Sequence, residues 1–124
     1  MPFFIYLCTL LIHKIFNLVK FLEFPITATG ETNQLVAING VILVEQASTT
    51  TVTLTYNGAA AQDVVTITLG AAMAANNVTV RDRIQDTIIE ALQRSWQEPK
   101  TAVRISDLTD NAGAVVTITG IAIA

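Results

Sequence analysis

The chain carries one cysteine, Cys8, and one histidine, His13. An intrachain disulfide is therefore excluded, and so is a Cys-based zinc site within one chain. Standard His/Cys metal clusters and His-dependent triads are nearly excluded as well. None of Ser48, Ser95 and Ser106 sits in a Gly-x-Ser-x-Gly elbow, and no Gly-Lys-Thr phosphate loop occurs. Charge is scarce: seven Lys and Arg against ten Asp and Glu, a net charge of −3. That balance argues weakly against a nucleic-acid backbone binder, which needs clustered cations. The carboxylates read as ordinary surface chemistry. Asp82, Asp86 and Glu90 follow one flank of a helical segment, and Asp107 and Asp110 bracket a turn. No catalytic residue, cofactor or metal is expected.

Absences also divide the chain. No Phe follows Phe24, no Gly precedes Gly30, and no Ala precedes Ala28. Residues 1–22 thus form an apolar N-terminal segment, and 23–124 a single domain. Four readings of the segment stand open. It is long enough to span a bilayer, yet it would hold Lys14 near the middle at a cost of roughly 2.5–3.5 kcal/mol. It has the apolar run of a secretory signal without the basic start or the small-residue cleavage site. Thr9, His13, Asn17 and Lys20 recur at the spacing of an amphipathic helix over 3–22. Lastly, its Phe, Ile, Leu, Asn and Lys bias is that of AT-rich non-coding DNA read as protein. Val19 is then a candidate true start, and Cys8 and His13 are not made.

From Phe24 onward the pattern is strand-like. "FPITATG" is a short alternating stretch. "QLVAINGVILVEQ" places Asn39-Gly40 between two apolar runs, a strong signal for a type I′ hairpin. Val52, Leu54 and Tyr56 alternate with Thr51, Thr53 and Thr55, and Asn57-Gly58 begins the turn to a returning strand with Val65, Ile67 and Leu69 inward. A helix is predicted over 79–97. Thr79 and Asp82 would open it as a capping box, with Val80, Ile84, Ile88, Ala91, Leu92 and Trp96 on one face and Pro99 beyond its end. "TAVRISDL" and Ala114 to Ile123 are the last strands. The expected fold is α+β. Five to seven short, mainly antiparallel strands form a sheet or a small, partly open barrel against one helix.

The body, rich in Thr, Ala, Asn and Gly, resembles small uncharacterised proteins of marine bacteriophage and metagenomic type. That likeness implies a virion-associated or accessory protein that works by assembly, in the cytoplasm or the virion. "AVVTITGIAI" is similar to the second motif of the Sm/LSm-like barrels, with Gly120 as the motif's Gly. Thr119 stands where that family has Arg or Lys, and the helix lies between strands rather than before them. This resemblance implies an oligomeric barrel that binds RNA.

The leading expectation is a non-enzymatic structural protein that self-assembles through β edges into a homo-oligomer or onto other virion proteins. The alternatives are an Sm-like RNA binder and a membrane-anchored module, the latter if residues 1–22 are translated. The interface would draw on Trp96 and Arg94 near the end of the helix, on Arg104 in the strand after it, and on Val116, Ile118, Ile121 and Ile123 in the final strand. Arg81, Arg83, Arg94, Lys100 and Arg104 gather most of the positive charge into one stretch.

Overall fold

The computed structural model describes residues 19–27, 30, 32–57 and 63–124. Its elements run β1 (Phe21–Phe24), β2 (Gln34–Ala37), β3 (Val41–Glu45), β4 (Thr51–Tyr56), β5 (Asp63–Leu69), α1 (Thr79–Gln93), β6 (Lys100–Ala102) and β7 (Ile118–Ile123). The α+β expectation holds: seven strands and one helix are present among the described residues. The strands divide between two sheets, ordered β2-β1-β6 and β3-β4-β5-β7, and do not close into a barrel. Every pairing is antiparallel except β1 with β6, which is parallel. The predicted helix over 3–18 lies outside the described residues. Its continuation to residue 22 is overturned, because Phe21 and Leu22 belong to β1 and Leu22 is buried.

The four-stranded sheet follows from its alternation. Val52 and Leu54 of β4 and Val65, Ile67 and Leu69 of β5 point inward and are buried. Thr51 stands opposite Thr68 and Thr53 opposite Thr66 on the outer face. The β4–β5 hairpin forms with Tyr56 opposite Asp63, while its tip, 58–62, lies outside the described residues. β7 closes one side of this sheet, with Ile67 opposite Ile121 and Thr66 opposite Ala122.

Asn39-Gly40 does not make a hairpin. β2 pairs with β1 and β3 pairs with β4, so the two strands flanking the turn lie in different sheets. Gly40 takes φ +91° while Asn39 keeps a negative φ. The Val41 N–H donates to the Ile38 carbonyl at 3.3 Å. A left-handed residue only at the third turn position is the signature of a type II turn, whose twist splays strands apart. The turn is therefore a corner that passes the chain from one sheet to the other.

α1 buries Val80, Ile84, Thr87, Ile88 and Ala91, a stripe at helical spacing, and packs on β1, β6 and β3. Its ends differ from expectation. Thr79 lies inside the helix, and the capping acceptor is Asn77. The Asn77 Oδ1 receives the Thr79 N–H at 3.1 Å and the Thr79 hydroxyl at 2.8 Å. The helix stops at Gln93, four residues early, so Trp96 lies in the loop beyond it and Leu92 is exposed. β6 keeps only Thr101 and Ala102 of the predicted strand and begins at Lys100, and β7 starts at Ile118 rather than Ala114. Val103 and Ile105 still reach the core, and the Val103 N–H donates to the Glu23 carbonyl at 2.9 Å.

The early stop has a long-range cause. Lys20 is 4% exposed. Its ammonium donates to the carbonyls of Ser95 at 2.7 Å, Glu98 at 3.1 Å and Arg94 at 3.3 Å. Three N–H donors meet three carbonyls just past the helix C-terminus, where a cation is favoured. Because hydrogen bonds to a charged group contribute roughly 1.5–3 kcal/mol, Lys20→Met is expected to lower unfolding free energy by about that amount in urea titration. An unchanged denaturation midpoint would show that the ammonium contributes nothing net.

Candidate functional site

The expected interface residues separate into four environments. Val116 and Ile118 are buried in the core, so their side chains are spent within the chain and present nothing to a partner. Arg94 and Arg104 line a polar depression between α1 and β6. Trp96 is 49% exposed in the loop after α1. Ile121 and Ile123 line a groove of about 620 Å³ between the two sheets.

That groove is built from strand edges. Leu35 and Ala37 of β2 form one wall, Ile121 and Ile123 of β7 another, and Tyr56 and Val65 line it from β4 and β5. Asp63 is its one charged lining residue among those described. Backbone direction follows from the ladder. Val64 and Ala124 exchange both hydrogen bonds, at 3.1 and 3.0 Å. Alternation then turns the N–H and C=O of Ile121 and Ile123 away from β5, toward the open side. On β2, Ile38 donates to the Lys20 carbonyl at 3.0 Å, so Leu35 and Ala37 turn their backbone groups away from β1.

The four sheet edges are unequally guarded. β3 carries a bulge between Val41 and Leu43, ends in Glu45, and packs against α1. β6 is three residues long and bears the exposed Lys100. Short edges, bulges and charges discourage pairing with other chains. β2 (QLVA) and β7 (ITGIAI) hold no charged residue, and both border the groove. At its start β7 is anchored: the Thr27 N–H and hydroxyl both donate to the Ile118 carbonyl, at 2.9 and 3.2 Å. The stretch beyond Gly120 has no described strand on its outer side, and Ile123 is 75% exposed.

Tyr56 ties the sheets at the groove. Its hydroxyl donates to the Ala37 carbonyl across the sheet boundary. Burial raises its pKa above the ordinary value of 10.0. Sequence reasoning missed Tyr56, Leu35 and Ala37, since nothing local reports that residues from β2 and β4 meet. It likewise missed Arg83, whose fork holds both oxygens of Asp107 at 2.8 and 2.9 Å. That pairing keeps the Asp107 carboxyl below its ordinary 3.8, first through the hydrogen bond from Arg83.

Among the described residues, no group of three or more His, Cys, Asp or Glu side chains is placed to hold a metal ion. No described helix is long and apolar enough to cross a membrane.

A raised tyrosine pKa favours the neutral hydroxyl in the fold. Its contribution is full below pH 10 and is lost as pH rises through the higher folded value. Ultraviolet titration of Tyr56→Phe is therefore expected to lose a component ionising above pH 10. The variant should also unfold more readily by roughly 0.5–1.5 kcal/mol at neutral pH. Retention of that component in the variant would count against the assignment.

No protein-family model, curated protein or solved structure matches this chain.

Proposed function

We propose that the protein is a non-enzymatic interaction module that self-assembles through β edges, with β7 as the joint. The observation that carries this reading is the charge-free stretch past Gly120, where Ile121 and Ile123 turn backbone donors and acceptors outward and Ile123 is largely exposed. Two copies of β7 laid antiparallel would satisfy those groups and continue the four-stranded sheet into its copy. Such pairing is isologous, so each copy gives and receives the same surface. The apolar side chains beside the joint would be covered at the same time, which adds a hydrophobic contribution to the backbone bonds. A virion-associated or accessory role, working by assembly, suits a module of this kind.

Light scattering on the purified full chain tests the proposal. The expected result is a defined homo-oligomer. Ile121→Pro removes an outward N–H without touching a β5 ladder bond, and Ile123→Lys adds an edge charge. Both are expected to shift the mass to monomer while leaving the thermal midpoint within a few degrees. A concentration-independent monomer in the unmodified protein overturns the reading. Salt-sensitive RNA binding by a ring-sized oligomer would favour the Sm-like alternative. Vesicle partition lost on deleting residues 1–18 would favour the membrane-anchored one.

A further inference from the structure

Beside β6, the edge of the three-stranded sheet opposite to β2, α1 and β6 enclose a polar depression of about 490 Å³. Among the described residues, its lining brings Arg83, Arg94 and Arg104 together with a single carboxylate, Glu90. Three guanidinium groups thus face one depression in a chain of net charge −3, answered by Glu90 in the lining and by Asp107 and Glu98 beside it. Two of the three are partly engaged. Arg83 grips Asp107 and also donates to the Arg104 carbonyl at 2.6 Å. Arg94 reaches Glu90 at 3.0 Å and Glu98 at 3.2 Å. The Arg104 guanidinium has no ion-pair partner among the described residues.

A second observation comes from the same lining. Thr101 is 5% exposed, and its Oγ1 is buried with no hydrogen-bond partner among the described residues. A buried hydroxyl left unmet destabilises the fold, and such groups in native proteins call for an explanation. The neighbouring Thr87 hydroxyl is met within the helix, donating to the Arg83 carbonyl at 2.6 Å. Thr101 is thus the one lining hydroxyl with an unused donor, beside an arginine with an unused fork.

We propose that this depression binds a phosphate monoester, its phosphoryl oxygens accepting from the guanidinium groups of Arg104 and Arg94 and from the Thr101 hydroxyl. Guanidinium forks match phosphate oxygens in geometry as well as charge. The space exceeds that of a bare phosphate ion, so a compact organic body is accommodated beside the phosphoryl group. That body is polar rather than a nucleobase, because among the described residues no aromatic side chain lines the depression to supply a stacking surface. Glu90 is the resident counter-ion that the ligand displaces from Arg94. The site is independent of the β7 joint, which lies on the four-stranded sheet.

Calorimetric titration of the full chain with ribose 5-phosphate and with inorganic phosphate, at matched ionic strength, tests the proposal. Saturable binding of either probe supports the phosphoryl site, and tighter binding of the ester supports the occupied remainder. Arg104→Ala is expected to weaken binding about tenfold or more, the loss of one charge-assisted hydrogen bond. Thr101→Val should weaken binding while leaving the thermal midpoint of the unliganded protein unchanged or raised, which a merely structural hydroxyl would not do. Glu90→Gln, which frees Arg94, should tighten binding. Absence of saturable binding by both probes overturns the proposal, as does binding unaffected by both Arg104→Ala and Thr101→Val. Steeply salt-dependent binding of a single-stranded RNA oligonucleotide without binding of ribose 5-phosphate also overturns it, and reassigns the arginines to a nucleic-acid backbone.

Discussion

The buried ammonium of Lys20 joins the parts of this fold that the chain keeps far apart. It precedes β1, and its three carbonyl partners follow α1. Its own backbone holds the corner between the sheets: the Lys20 N–H donates to the Asn39 side chain at 2.8 Å, and its carbonyl receives the Ile38 N–H. One residue therefore fixes the helix C-terminus, the first strand and the sheet-to-sheet corner together. The carbonyls it meets are part-buried, and a buried acceptor left unmet is costly. This requirement explains why the helix stops at Gln93 although Pro99 alone would have allowed further turns.

The corner at Asn39-Gly40 has a second effect. By sending β3 to the other sheet, it leaves β2 as an edge, and the geometry of β5 leaves β7 as another. The Tyr56 hydroxyl bridges the sheets close to these edges. The groove is the space that two open sheets leave when they are joined at one end and tied at one further point. The anchoring of β7 by Thr27 restricts its unpaired stretch to the residues beyond Gly120. The polar depression arises elsewhere, from the contact of α1 with β6, so the two surfaces can act without competing for side chains.

Much of this was readable from the chain. The Val/Thr alternation of β4 and β5 located both strands, their inward faces and their pairing, because a one-face-buried sheet imposes period two. The stripe Val80, Ile84, Ile88, Ala91 located the helix. Where reading failed, the cause was long-range. Asn39-Gly40 has the local chemistry of a hairpin, but Ile38 is claimed by Lys20 and Val41 by β4. The helix end was misread because its cap comes from Lys20, at the other end of the chain. Of the expected interface residues, Ile121 and Ile123 lie at an open edge, whereas Val116 and Ile118 complete the core. An alternating strand does not reveal where along its length its burial ends. The meeting of Arg83, Arg94, Thr101 and Arg104 depends on α1 lying against β6, which no local pattern encodes.

The parallel pairing of β1 with β6 also sets the order in which the molecule can be made. Lys20 finds its first carbonyl 74 positions later, and Thr27 finds Ile118 after 91. The β4–β5 hairpin and α1 can form as they leave the ribosome, since their contacts are local. The β1 strand can pair with β2 early, but its other edge and the cover over Leu22 and Phe24 wait for α1 and β6. Until then β1 is held on its β2 side alone, with one edge open to any strand that meets it.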